Sequence, residues 1–175
     1  IVPLTPILSH DNPCKMDFFV SSFLNKIDKK GRVSLPSSFR NALPKSNKNE
    51  IILYKSIKSK SIEGCSSERI NEIAKRINNL DFFSEDYDDF SRSIFTEIIP
   101  TNLDKEGRFL IPEELKKYAN IKDQAIFFGQ GFFFQIWEPK EGKIKRELSR
   151  KRLLSEKKSL RMILTNENQQ NDKSS

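Results

Sequence analysis

Two segments, "NKIDKKGRVSLP" at 25–36 and "TNLDKEGRFLIP" at 101–112, constrain the fold more than any other feature of the chain. Asp, Lys, Gly, Arg and Pro recur in one order and at one spacing, 76 residues apart. Each segment sits inside the same programme. Residues from Phe18 to Ile27 read as a strand, rich in β-branched and aromatic side chains. "DKKG" interrupts it, and Asp in the first position with Gly in the fourth suits a type I turn or a bulged variant of it. "RVSLP" resumes the strand, and Pro36 opens a short helix, "PSSFRNAL". Phe39 and Leu43, four residues apart, share a face of that helix. "NEIILYKS" and "KSIEGC" read as two further strands. The second half runs "SIFTEIIPTNL", "DKEG", "RFLIP", the helix "PEELKKYA" and the hairpin "AIFFGQGFFFQIW", turning at Gly129 to Gly131. Glu113 and Glu114 suit the positive N-terminal end of that helix. The pattern is a tandem duplication of about 50 residues, with drift.

Between the copies, Ile70, Ile73, Ile77 and Leu80 recur at helical spacing, with Ser66 or Ser67 as the cap. The acidic "DFFSEDYDDFSRSIF" follows. It reads as a connector that packs Ile and Phe on the strands and leaves its acids in water, or else as an acidic partner-binding face. From Lys140 to the end, eleven Lys or Arg stand against five Asp or Glu, so this stretch carries about +6 of the formal +7. Either a solvated helix or a basic arm near DNA phosphates fits it, with "NENQQNDKSS" disordered. The start, "IVPLTPILSHDNPCK", has prolines in its apolar part and makes a poor secretory signal. Residues 1–15 are expected to lie outside the fold, which opens at Met16. The predicted divisions are a leader (1–15), a first half (16–65), a helical connector (66–98), a second half (99–142) and a basic helical to disordered tail (143–175).

Composition excludes several functions. No run of about 18 apolar residues exists to span a membrane. The only histidine, His10, lies in the leader, so a Ser-His-Asp triad, a Cys-His dyad or a histidine metal site has no members to draw on. Cys14 and Cys65 form no CxxC or zinc-type spacing and read as unpaired thiols in a reducing cytoplasm. No cofactor and no metal are expected. A pI near 9.4 suggests a polyanionic partner.

Three readings of the repeated turn remain. Asp28 with Arg32, and Asp104 with Arg108, could be structural pairs, which contribute little when exposed. Asp28 and Asp104 could be paired acids of a hydrolase, but carboxylates beside cations stay ionised, which suits acid catalysis badly. Or the turns present Lys29, Lys30, Arg32, Lys105 and Arg108 to nucleic acid, lysines to phosphates and arginines to the O6 and N7 edge of guanine. The first and third readings are compatible, because Asp can hold its Arg in place before binding.

"DKKGRVSLPSSFR", "DKEGRFLIPEEL" and the late "FFFQIWEP" resemble the MraZ family of the SpoVT/AbrB-like superfamily, over about residues 16–150. The family's DxxxR signature falls on Asp28 and Arg32 and again on Asp104 and Arg108. The resemblance implies a mainly β fold with short helices (α+β), two tandem AbrB-like halves forming a pseudo-symmetric swapped-hairpin or double-psi-type β-barrel. It implies a cytoplasmic, nucleoid-associated, non-enzymatic transcriptional regulator. Such regulators form rings whose DxxxR surfaces meet short tandem repeats in double-stranded promoter DNA of the bacterial division and cell-wall gene cluster. Lys29, Lys30 and Lys105 join the DNA surface on charge grounds. Glu106 replaces the Lys30 of the first turn, which ranks that first turn higher for DNA, and the long basic tail is less typical of the family. An AbrB-type antitoxin with secondary DNA binding is the alternative, though such proteins usually carry one AbrB half.

Overall fold

A computed structural model describes residues 18–156. The leader (1–15) and the end of the tail (157–175), with the readings placed on them above, lie outside the described residues. The described residues fall in two compact units that divide between Pro139 and Lys140.

The first unit contains the duplication. Its first copy comprises β1 (Ser22–Lys26), β2 (Arg32–Ser34), α1 (Ser37–Ala42), β3 (Glu50–Lys55) and β4 (Ile62–Cys65). Two helices follow, α2 (Ser67–Asn78) and α3 (Glu85–Phe95). The second copy comprises β5 (Ile99–Asn102), β6 (Arg108–Leu110), α4 (Glu113–Tyr118), β7 (Gln124–Gly129) and β8 (Phe134–Trp137). Helix α5 runs Pro139–Ser155, and all but its first residue fall in the second unit.

Local chemistry explains most of these boundaries. Pro36 and Pro112 stand immediately before α1 and α4 with φ near −52° and −53°, already the value a helix start needs. The Ser66 hydroxyl caps α2 by accepting the Arg69 N–H. The expected connector is two helices, because Asp81 and Ser84 build a stop and a new start. The Asp81 carboxylate accepts the Phe83 N–H at 3.0 Å, and the Ser84 hydroxyl accepts the Tyr87 N–H at 3.1 Å. The first strand is shorter than the residues from Phe18 to Ile27. Ser21 has φ +74°, which breaks the extension, and Phe19 pairs only with Gly131.

Strand pairing relates the copies by a local two-fold. All ladders are antiparallel, in a six-stranded sheet of order β1-β7-β8-β4-β3-β5 and a two-stranded ribbon β2-β6. Strand β1 lies on β7 with Lys26 opposite Gln124, and its counterpart β5 lies on β3 with Asn102 opposite Glu50. In the ribbon, Arg32 faces Leu110, Ser34 faces Arg108 and Val33 faces Phe109, so the 76-residue repeat maps the ladder onto itself with Val33 and Phe109 on the axis. Both are buried, at 1% exposure. β1 and β5 are the two edges of the sheet, so these ladders do not close the expected barrel; β2 and β6 pair with each other instead.

The main core gathers on one face of the sheet, and two smaller clusters, around Ile52 and Tyr54 and around Ile126 and Trp137, lie apart from it. Phe39 of α1 is fully buried, with the rings of Phe19, Phe23 and Phe134 at 5.4, 5.5 and 5.4 Å. Phe19 and Phe23 meet Phe39 edge to face, which adds to the burial of area. Of the five phenylalanines in the last hairpin, Phe127, Phe128 and Phe134 are buried and Phe133 packs beside Ile52 and Tyr54, leaving Phe132 exposed at 58%. Four of the five therefore pack within this chain.

Candidate nucleic-acid interface

Each charged turn is built by its aspartate. In the first, the Gly31 N–H donates to the Asp28 carbonyl at 2.9 Å, and the Asp28 N–H donates to the Arg32 carbonyl at 2.9 Å. This is a type I turn closed by a bulge, with Gly31 at φ +81° as the left-handed residue the bulge requires. The Asp28 carboxylate then accepts the Lys30 and Arg32 N–H groups, both at 2.9 Å, and Arg32 Nε at 2.8 Å. The second turn repeats this. Asp104 accepts the Glu106 N–H at 3.0 Å, the Arg108 N–H at 2.8 Å and Arg108 Nε at 2.9 Å, with Gly107 at φ +74°. The Asp and Arg thus lock the turn and each other.

The two-fold brings the turns together. Arg32 Nη1 lies 3.9 Å from Asp104 Oδ2, so one face of the molecule holds both signatures. Backbone bonds cross between them: the Leu35 N–H donates to the Gly107 carbonyl at 2.9 Å, and the Ile111 N–H to the Gly31 carbonyl at 3.3 Å. Arg32, Asp104 and Arg108 side chains keep about a third of their surface open. Lys29, Lys30 and Lys105 are exposed, and none has an ion pair among the described residues.

Electrostatics separate the two turns. The Arg32 N–H, donated to Asp28, holds that carboxylate below its usual range, and the Arg32 guanidinium adds to this. The Arg108 N–H does the same for Asp104. Its hydrogen bond to Asp104 raises Arg108 further. Both acids stay ionised, as a reader's support requires and an acid catalyst's does not. Asp28, Lys29, Lys30 and Arg32 sum to +2, whereas Asp104, Lys105, Glu106 and Arg108 sum to zero. Glu106 also takes Arg108 Nη2 at 3.0 Å.

Sequence reasoning missed Arg40. From α1, its Nη1 donates to the Leu35 carbonyl at 3.2 Å and to the Glu106 carbonyl at 3.3 Å, bracing the second turn from the first copy. Its repeat counterpart, Lys116, pairs with Glu113 instead. The signal available was Arg40 standing eight residues after Arg32, as Lys116 does after Arg108, but nothing local shows that the contact crosses 66 positions. Asn25, also missed, donates its Nδ2 to the Ser34 carbonyl at 2.7 Å.

Burial pushes the Cys65 thiol up to about 12, which leaves no thiolate for nucleophilic work. Among the described residues no three His, Cys, Asp or Glu side chains gather as a metal site, and no helix is long and apolar enough to cross a membrane.

Fold and turns together define the class: a duplicated chain whose two halves present matching DxxxR turns on one face. Residues 94–166 match the family profile described as "MraZ protein, putative antitoxin-like". A transcriptional regulator MraZ of Pelagibacter ubique is 46% identical over 121 residues, covering 69% of this chain and 78% of that protein. One of the same name from Rickettsia bellii is 40% identical over 152 residues, 86% of this chain and all of the relative. A third, from Rickettsia rickettsii, is 41% identical over 124 residues, 71% of this chain and 83% of its own. The chain belongs to the MraZ family, a family of transcriptional regulators and not of enzymes. Since the family profile runs to residue 166, much of the basic tail lies within the family's pattern rather than beyond it.

Proposed function

We propose that this chain is a sequence-specific DNA-binding regulator whose two DxxxR turns form one composite reading surface. The observation that carries this is the two-fold pairing of the turns, with Arg32 of one 3.9 Å from Asp104 of the other. In this reading Asp28 and Asp104 orient Arg32 and Arg108 toward base edges, while Lys29, Lys30 and Lys105 meet phosphates. Arg32 holds Asp28 through Nε and Nη2, and its Nη1, 3.9 Å from Asp104, is the nitrogen that turns to a base. The target is double-stranded DNA with short tandem repeats, at the promoter of the division and cell-wall gene cluster, and the protein works in the cytoplasm at the nucleoid.

Multivalency supplies the specificity. One turn on one site binds weakly, whereas a ring of chains holds several turns at fixed spacing and engages repeats about one helical turn apart. The divisions at 16–65 and 99–142 are the two AbrB-like halves, and β1 on β7 with β3 on β5 supports a swapped-hairpin exchange between them. An antitoxin role would show as a protein partner that co-purifies.

The test is Arg32→Ala against a repeat-bearing promoter fragment and against scrambled DNA, each at two salt concentrations. A base reader costs about 1–3 kcal/mol per engaged site on the promoter, and discrimination relaxes. Arg32→Lys keeps the charge and loses the planar fork, so it should fail similarly. Wild-type binding to both DNAs by Arg32→Ala would make the turn a structural clamp only.

A further inference from the structure

We infer that the groove between α2, α3 and the outer face of β3 and β4 binds an anionic amphiphile, a linear-chain carboxylate or phosphate monoester. The groove holds about 380 Å³, within the range of small-ligand sites. Ile73 and Ile77 of α2, Phe90 and Ile94 of α3, and Tyr54 of β3 give it an apolar lining. Ile57 and Phe90, also in the lining, keep 50% and 41% of their surface in water. The apolar face is thus formed but not filled.

The charged members of the lining choose the ligand. Lys58, Arg69 and Arg76 stand against one carboxylate, Glu63. Glu63 already accepts the Ser56 hydroxyl at 2.8 Å. Arg69 is held by Glu72 at 2.7 Å and lies over the Phe132 ring. Lys58 and Arg76 have no ion-pair partner among the described residues. A hydrocarbon chain with an anionic head satisfies the lining and both cations, whereas a cationic amphiphile would add like charge beside them. The site is separate from the turns, and it lies on the two helices that join the turn-bearing halves.

Isothermal titration of the full chain below micelle formation tests this, with octanoate, decanoate, dodecanoate, decyl phosphate and dodecyltrimethylammonium as probes. The expected result is saturable binding of one anion per chain, tightening about fourfold per added methylene until the groove is full. Decyl phosphate against decanoate separates the two head groups. Lys58→Glu with Arg76→Glu, both exposed positions, should weaken decanoate at least tenfold with the unfolding midpoint unchanged. Absence of saturable binding, equal binding of the ammonium probe, or indifference to the double substitution overturns the inference. So does a wild type that binds nothing because a second copy covers the groove.

Discussion

Replacing Gly107 with alanine should damage the molecule more than the same change at its counterpart Gly31, although both sit in the same turn. Both have positive φ, +74° and +81°, so each alanine carries the left-handed penalty of about 1–2 kcal/mol. Their surroundings differ. A Cβ on Gly31 meets Leu110 Cδ1 at 3.2 Å, and Leu110 is 55% exposed and free to shift. A Cβ on Gly107 overlaps the Arg40 guanidinium and comes within 2.6 Å of its Cδ, so Arg40 must leave. That breaks its bonds to the Leu35 and Glu106 carbonyls, at 3.2 and 3.3 Å, worth about 1–2 kcal/mol together. The expected losses are about 1–2 kcal/mol for Gly31→Ala and about 2–4 kcal/mol for Gly107→Ala. Urea unfolding followed by Trp137, the single tryptophan, measures both. In an Arg40→Ala background, Gly107→Ala should fall to the backbone penalty alone, giving a coupling of about 1–2 kcal/mol. Equal losses at the two glycines, or an additive cycle, would refute the brace.

Phe39→Ala should cost about 3–5 kcal/mol in the same assay, since it empties the middle of the aromatic cluster; a loss under about 1 kcal/mol would contradict that packing. The folded-state pKa values of Asp28 and Asp104 lie below the ordinary 3.8, so their contribution to stability is present above about pH 3.8 and is lost as pH falls through the depressed values. Asp28→Asn with Asp104→Asn should therefore flatten the acid limb of the stability profile below that pH, and an unchanged limb would show that other carboxylates control acid unfolding. Glu106→Lys should free Arg108 Nη2 and bring the second turn from zero to +2, tightening binding to all DNA and steepening the salt dependence by about one unit per engaged site. A salt slope equal to the wild type's would place Glu106 away from the phosphates.

The turns were legible because their determinants are local. Asp in the first position, Gly in the fourth and Arg next fix the backbone bonds, the positive φ and the side-chain lock within five residues. The helices α1 and α4 were legible for the same reason, through Pro36 and Pro112. What stayed hidden is non-local. Periodicity marks β1 and β7 as strands but cannot say that Phe23 lies opposite Phe127, because pairing depends on which faces both strands bury. The break between α2 and α3 was obscured by the apolar "LDFF", where a run of hydrophobic residues hides the cap that follows. The burial of the hairpin phenylalanines is non-local too, because Phe127 and Phe134 pack on Phe39 of the other copy.

The two-fold also explains where the copies have drifted apart. Positions on or beside the axis are constrained twice, because each residue there is the environment of its own counterpart. Val33 faces Phe109, and Gly31 and Gly107 each accept a bond from the strand of the other copy. Both copies keep an apolar residue at the first pair and glycine at the second. Away from the axis that reciprocity ends, and single changes are free. Lys30 has become Glu106, and Arg40 braces a turn that Lys116 does not. The result is one basic turn with no brace from α4 and one neutral turn held by Arg40. On the DNA-binding reading this divides the work within each chain: the first turn supplies phosphate attraction through Lys29 and Lys30, and the second, already neutralised and held, supplies a fixed register against which the first is placed. A ring of such chains would alternate the two around its rim, so adjacent contacts on a repeated site would differ in salt dependence while sharing one geometry.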